Sequence, residues 1–154
     1  GTLVAGHILA GSLVAALAGD VVLVAVLVFT PLPAVGLAAV VSSLLTIFLT
    51  ALAIASVWFL LFARARRASV LRGMFGIINA LLFFPSGALY PVESYPGWLR
   101  AVSNIDPLTY GLKALRDVLL RGTPASACFA PWVFLATFTL VCGILTRVLF
   151  KREV

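Results

Sequence analysis

Apolar positions in this chain fall into long unbroken blocks instead of alternating or striping. Four blocks, at about residues 8–30, 35–62, 72–90 and 130–150, approach or exceed the roughly 20 apolar residues a helix needs to cross a bilayer core. Thr30-Pro31-Leu32-Pro33 parts the first two, a short uncharged turn that predicts an antiparallel hairpin. A basic loop from Ala63 to Arg72 parts the second and third. The third block is the shortest and is interrupted by Pro85, which predicts a broken or re-entrant end. The pattern predicts an all-α polytopic membrane protein, one unit over residues 1–154, with four spans and an outer re-entrant segment over 91–128. The chain opens on Gly1 and runs straight into apolar sequence, so an N-terminal truncation is expected.

Composition agrees with this picture. Apolar residues make up 63% and charged residues 10%, against roughly 45–50% and about 25% in soluble domains. The net charge of +6 would suit nucleic acid, but its placement does not. Arg64, Arg66, Arg67 and Arg72 sit between two spans, and Arg147, Lys151 and Arg152 sit at the end. Basic residues beside span ends mark the cytoplasmic side, with lipid headgroups as counter-charges. A nucleic-acid surface would need a polar groove that these blocks do not leave. By parity, Pro31–Pro33 and the segment Tyr90–Pro131 lie outside, and the C-terminus lies inside. Arg100, Lys113, Arg116 and Arg121 run against that rule, interleaved with Glu93, Asp106 and Asp117 in the outer segment. Cys128 and Cys142 are too few for a disulfide framework, and Cys142 lies within an apolar block. Ala16-Leu17-Ala18 has the look of a signal-peptidase site, but no basic region precedes it and apolar sequence resumes at Val21.

The segment from Phe84 to Gly122 is the most punctuated part of the chain, holding all three tyrosines. Asp106 is a preferred helix N-cap and Pro107 suits the next position. Gly122 can end the helix in the left-handed conformation, and Pro124 prevents its resumption. Between them Leu108, Leu112, Leu115 and Leu119 form one apolar face, while Lys113–Asp117 and Asp117–Arg121 are pairs four residues apart. This predicts an amphipathic helix lying in the outer interface or dipping beneath it. Trp98, Leu99, Val102 and Ile105 make a shorter apolar stripe upstream. Tyr90, Tyr95, Trp98, Tyr110 and Trp132 fit an aromatic belt at headgroup depth.

Ser86-Gly87-Ala88-Leu89-Tyr90-Pro91, then Pro96-Gly97-Trp98-Leu99, then Asp106-Pro107-Leu108-Thr109-Tyr110, then Arg116 and Gly122 resemble, in order and spacing, the outer re-entrant region of ABC-2-type transporter permeases. The resemblance implies the membrane subunit of an ABC exporter in the cell inner (plasma) membrane, serving efflux or multidrug resistance. Its cargo would be an amphipathic drug or lipid-like molecule, or alternatively a polysaccharide or lipid-linked glycan. It implies a separate P-loop ATPase subunit carrying ATP and Mg, a second permease copy, and contact with membrane lipid. It marks Ser86, Gly87, Tyr90, Pro91, Glu93, Pro96, Trp98, Asp106, Pro107, Tyr110 and Arg116 as an outer gate. The family more often has asparagine where this chain has Asp106, a change that keeps the cap and adds a charge.

Within the spans, Asp20 costs roughly 2.5–3.5 kcal/mol on the insertion scale at a helix centre. It should therefore face protein or water, either as a contact for cargo or a proton, or as a hydrogen-bonded packing residue. Asn79 reads as an interhelical hydrogen-bonding residue and His7 as an interface residue. Gly11, Ala15 and Gly19 form a small-residue ladder suited to close helix packing. The chain has no GxxxxGK[ST], HExxH or GxSxG, so neither catalysis nor a cofactor of its own is expected. A non-transporting membrane scaffold is the alternative from another class, with an intramembrane enzyme third.

Overall fold

The computed structural model describes residues 2–29, 36–64, 68–90 and 92–151. Six α-helices follow in order among them: α1 (Thr2–Phe29), α2 (Leu37–Arg64), α3 (Ala68–Phe83), α4 (Gly97–Ser103), α5 (Pro107–Leu119) and α6 (Phe129–Lys151). Short 3-10 turns at Val92–Ser94 and Ala125–Cys128 lead into α4 and α6.

Three segments are long and apolar enough to cross a bilayer: Ala10–Phe29, Leu37–Leu61 and Ala125–Leu149. The expected count of four is therefore reduced by one among the described residues. The third block folds as α3, whose 16 residues rise only about 24 Å, short of the roughly 30 Å hydrocarbon core. The described residues contain no strand. The predicted turn at Thr30–Pro33 and the arginines Arg66 and Arg67 lie outside the described residues, as does Pro91. The side chains of His7, Arg64 and Arg72 do too.

α2 is the hub. α1, α5 and α6 all pack on it, whereas α3 touches it sparingly. The buried positions are small: Ser42, Ser43, Thr46, Thr50, Ala53 and Ser56 on α2, and Ser12 and Ala16 on α1. Large hydrophobic side chains point outward, among them Val21, Phe29, Leu37 and Leu140. This inverts the soluble pattern and suits lipid as the surrounding solvent, where helices gain by close approach of small residues. The buried hydroxyls do not go unpaired. Ser43 donates to Ala39 O (2.8 Å), Thr46 to Ser42 O (2.7 Å), Thr50 to Thr46 O (2.7 Å) and Ser56 to Leu52 O (2.8 Å). Each hydroxyl bonds one turn back, which hides its polarity inside its own helix.

The α1–α2 seam runs through Ser12, Ala16, Gly19 and Leu23. At Gly19 a Cβ would come within 2.7 Å of Ile47 Cγ2. Gly11 and Ala15 share a cavity wall with Ile54 and Trp58. α1 and α2 therefore run antiparallel.

Candidate functional site: a re-entrant segment between two clefts

The geometry begins where α3 stops. Phe84 still closes the helix, donating to Ala80 O at 2.9 Å, but Pro85 has no N–H to continue the pattern. Ser86 is buried and donates to Phe83 O (2.6 Å). Gly87 follows at φ +75°, with Val92 Cγ2 only 2.7 Å from where a Cβ would stand. That left-handed conformation and close approach both favour glycine. The chain then turns back. Tyr95 OH donates to Phe84 O (2.9 Å), and the buried Ser103 hydroxyl at the end of α4 donates to Pro85 O. The two ends of the excursion are thus tied together.

α5 starts with the punctuation the sequence carries. Asp106 Oδ1 accepts from Leu108 N (3.2 Å), Oδ2 accepts from the Thr109 hydroxyl (3.0 Å), and Pro107 occupies the first helical position. Burial pushes the Asp106 carboxyl above its ordinary pKa, while the Leu108 and Thr109 donors pull the other way. Tyr110 OH donates to Asn104 O (3.0 Å), and its ring stacks on Phe134 of α6 at 3.8 Å between centroids. Further along, Arg116 Nη2 donates to Ala88 O (3.1 Å). The helix ends at Leu119, with Gly122 at φ +63° and Thr123 N bonded to Asp117 O (3.0 Å).

Packing sets the depth of α5. A Cβ at Gly111 would collide with the side chain of Thr50, in the middle of the α2 span. Leu108, one turn earlier, lines the same cavities as Ile54. Ala114, Val118 and Cys128 form a buried cluster against Ala39 and Trp132. Trp132 Nε1 donates to Thr46 Oγ1 (2.8 Å). Hence α5 starts opposite the half of α2 that leads to Arg64 and runs antiparallel to it, toward Leu37. It dips well beneath the end of the bundle. The core stripe is Gly111–Ala114–Val118, offset from the leucine stripe because α2 is approached through small residues.

The leucines instead face space. A cavity of about 540 Å³ lies between α1, α2 and α5, walled by Ala15, Ile54, Trp58, Leu112 and Leu115, with Thr50 at its side. A second, of about 390 Å³, lies under the end of α3 beside Asn79, Phe83 and Leu108. On the other flank of α5 is a polar cleft of about 200 Å³ bounded by Ser86, Glu93, Thr109, Lys113, Arg116 and Asp117. α5 is the partition, apolar toward one side and charged toward the other. Such an arrangement can hold an amphipathic molecule by shape, burial and charge. The described residues contain no group of three or more potential metal-ligating side chains.

A family model described as ABC-2 type transporter matches residues 1–120, from α1 through α5. The chain belongs to the ABC-2 type transporter family. It is also similar to two curated proteins, each named "Probable doxorubicin resistance ABC transporter permease protein DrrC", from Mycobacterium tuberculosis strains CDC 1551 / Oshkosh and ATCC 25618 / H37Rv. In each case identity is 28% over 76 residues, covering 49% of this chain and 28% of the relative. No solved structure matches.

The positions expected to form this ABC-2 protein's outer gate divide into two groups. Ser86, Gly87, Asp106 and Pro107 are buried and build the turn and the cap; Tyr110 and Arg116 tie α5 to α6 and to Ala88. Tyr90, Glu93, Pro96 and Trp98 are exposed. Of the aromatics expected in a belt, Tyr110 and Trp132 make internal contacts, while Tyr90 and Trp98 are exposed. Lys113 forms no ion pair among the described residues, leaving Asp117–Arg121 (2.8 Å) as the pair on that face.

Elsewhere the expectations shift. Of the small-residue ladder, Gly19 meets another helix closely, while Gly11 and Ala15 are exposed and line the large cavity. The seam drifts to Ser12 and Ala16 because the helix repeat is not four residues. Asn79 is exposed beside the second cavity and makes no interhelical bond among the described residues. Asp20 lies beside the α1–α2 seam with Oδ1 shielded and without a hydrogen-bond partner. Sequence reasoning passed over Gly111 and the hydroxyl series Ser42/Ser43, Thr46, Thr50. Small residues four apart on α2 were the available signal.

Proposed function

We propose that this chain is part of the permease subunit of an ATP-driven exporter that moves an amphipathic drug or lipid-like molecule out of the cytoplasm. The carrying observation is the large apolar cavity between α1, α2 and α5, about 540 Å³, within the range of small-molecule sites. One of its walls is the re-entrant helix. A shift of α5 along α2 changes that cavity and the route past it together. The two similar proteins are named as permeases for doxorubicin resistance, which favours a drug-sized cargo over a polymer. In this reading the subunit sits in the cell inner membrane with its C-terminus inside, works with a second permease copy, and draws energy from a separate P-loop ATPase binding ATP and Mg. The segment from α4 through α5 acts as the outer gate.

The test is ATP-dependent uptake of a fluorescent amphiphile into inside-out vesicles holding the full-length permease and its ATPase. Leu112→Trp, which fills the cavity, should lower uptake several-fold while leaving assembly intact. Undiminished uptake would place cargo elsewhere. An assembled complex whose ATPase no amphiphile stimulates would favour the scaffold.

A further inference from the structure

The cations on α5 are the part of the sequence that transport through an apolar cavity leaves unexplained. Arg116, Lys113 and Arg121 line the polar cleft together with Thr109 and Ser86, opposed by Glu93 and Asp117. Asp117 is engaged by Arg121 at 2.8 Å. Arg116 uses Nη2 on the Ala88 carbonyl, which orients the guanidinium and leaves its other donors available. Lys113 has no carboxylate within ion-pair distance among the described residues and lines the cleft from the middle of α5. Glu93 is exposed on the far rim. The cleft therefore offers two cationic groups with no carboxylate partner among the described residues, Lys113 and Arg116, in about 200 Å³.

We infer that this cleft binds the phosphate of an anionic phosphodiester headgroup, carried by a membrane lipid. A guanidinium and an ammonium sharing a partly enclosed site are the donors a phosphodiester oxygen takes best. The apolar tails need no protein pocket, because Leu89, Tyr90 and Trp98, in the segment that supplies Ser86 and Glu93 to the cleft, are exposed. The basic residues on this segment, which run against the usual charge bias, thus acquire a counter-ion. The site does not depend on the exporter reading and can be tested without ATP or cargo.

The full-length permease in phosphatidylcholine nanodiscs would be titrated with short-chain phosphatidylglycerol, counting bound lipid by native mass spectrometry. Lys113→Gln should weaken retention about fivefold, the scale expected for one cation at an anionic surface. Lys113→Arg should restore it. Arg147→Gln, which removes one exposed cation from α6 outside the cleft, should weaken it less than Lys113→Gln does. Displacement by millimolar inorganic phosphate would show that the cleft reads free phosphate too; resistance to it would assign the site to the lipid diester. Either result supports a phosphate site. Equal retention by Lys113→Gln and the parent protein would overturn it, and so would equal losses in the Lys113 and Arg147 variants.

Discussion

α1 and α5 pack on the same helix by different means. α1 meets α2 along a whole span through Ser12, Ala16, Gly19 and Leu23. Its tightest contact, Gly19 against Ile47 Cγ2, is with a single branch methyl, where a Cβ at Gly111 would meet three atoms of Thr50. α5 is 13 residues long and meets α2 at Gly111, against the β-branched Thr50 whose own hydroxyl is bonded back to Thr46 O. α1 is placed by hydropathy spread over many residues, each of which matters little. α5 is placed by a few residues that each matter much, because a short helix cannot hold itself in lipid by length.

The largest expected effect follows from that contrast. Gly111→Ala forces a methyl into Thr50 and should cost about 1–3 kcal/mol, as overpacking does. Thermal unfolding in detergent would read it, and Thr50→Ala should recover part of the loss. If Gly111→Ala is silent, the two helices are not in contact. Gly87→Ala comes next, at about 1–2 kcal/mol for an L-residue held at positive φ, read by the same melt.

Asp106→Ala removes the α5 cap and should cost about 1 kcal/mol, whereas Asp106→Asn keeps the acceptor and should cost nothing at neutral pH. The two also differ in pH dependence. Burial raises the folded-state pKa of Asp106, so the protonated form favours folding. That contribution is complete below the unfolded value of about 3.9 and is lost as pH rises through the folded one. Parallel melts at neutral and acidic pH should show the parent gaining stability relative to Asp106→Asn on acidification. The smallest effect belongs to α1. Gly19→Ala meets only one branch methyl of Ile47, and a smaller cost than that of Gly111→Ala, reduced by Ile47→Leu, which lacks that branch methyl, would complete the contrast.

The same contrast explains what could be read from the sequence. The spans were legible because lipid selects long apolar blocks regardless of their partners. The cap at Asp106-Pro107 and the stop at Gly122 were legible because they are local. The shortness of α3 was only half legible, since Pro85 gave its end but not the missing length. The depth of α5 was not legible. It depends on Gly111 meeting Thr50, residues 61 apart in sequence, and a glycine within an amphipathic helix gives no sign of its partner. Gly11 and Ala15 stand one helical step from the α1–α2 seam and are exposed in the single chain. Asp20 was flagged by cost alone, and its Oδ1 is shielded and unbonded.

The re-entrant placement of α5 is tested most directly by cross-linking in membranes, with Cys128 and Cys142 replaced by alanine. Paired Leu108→Cys and Ile54→Cys should join through a short bismaleimide, since both side chains line the same cavities. Leu108→Cys paired with Leu37→Cys, at the opposite end of α2, should not. Joining of Leu108 to Leu37 and not to Ile54 would set α5 at the surface and contradict the account.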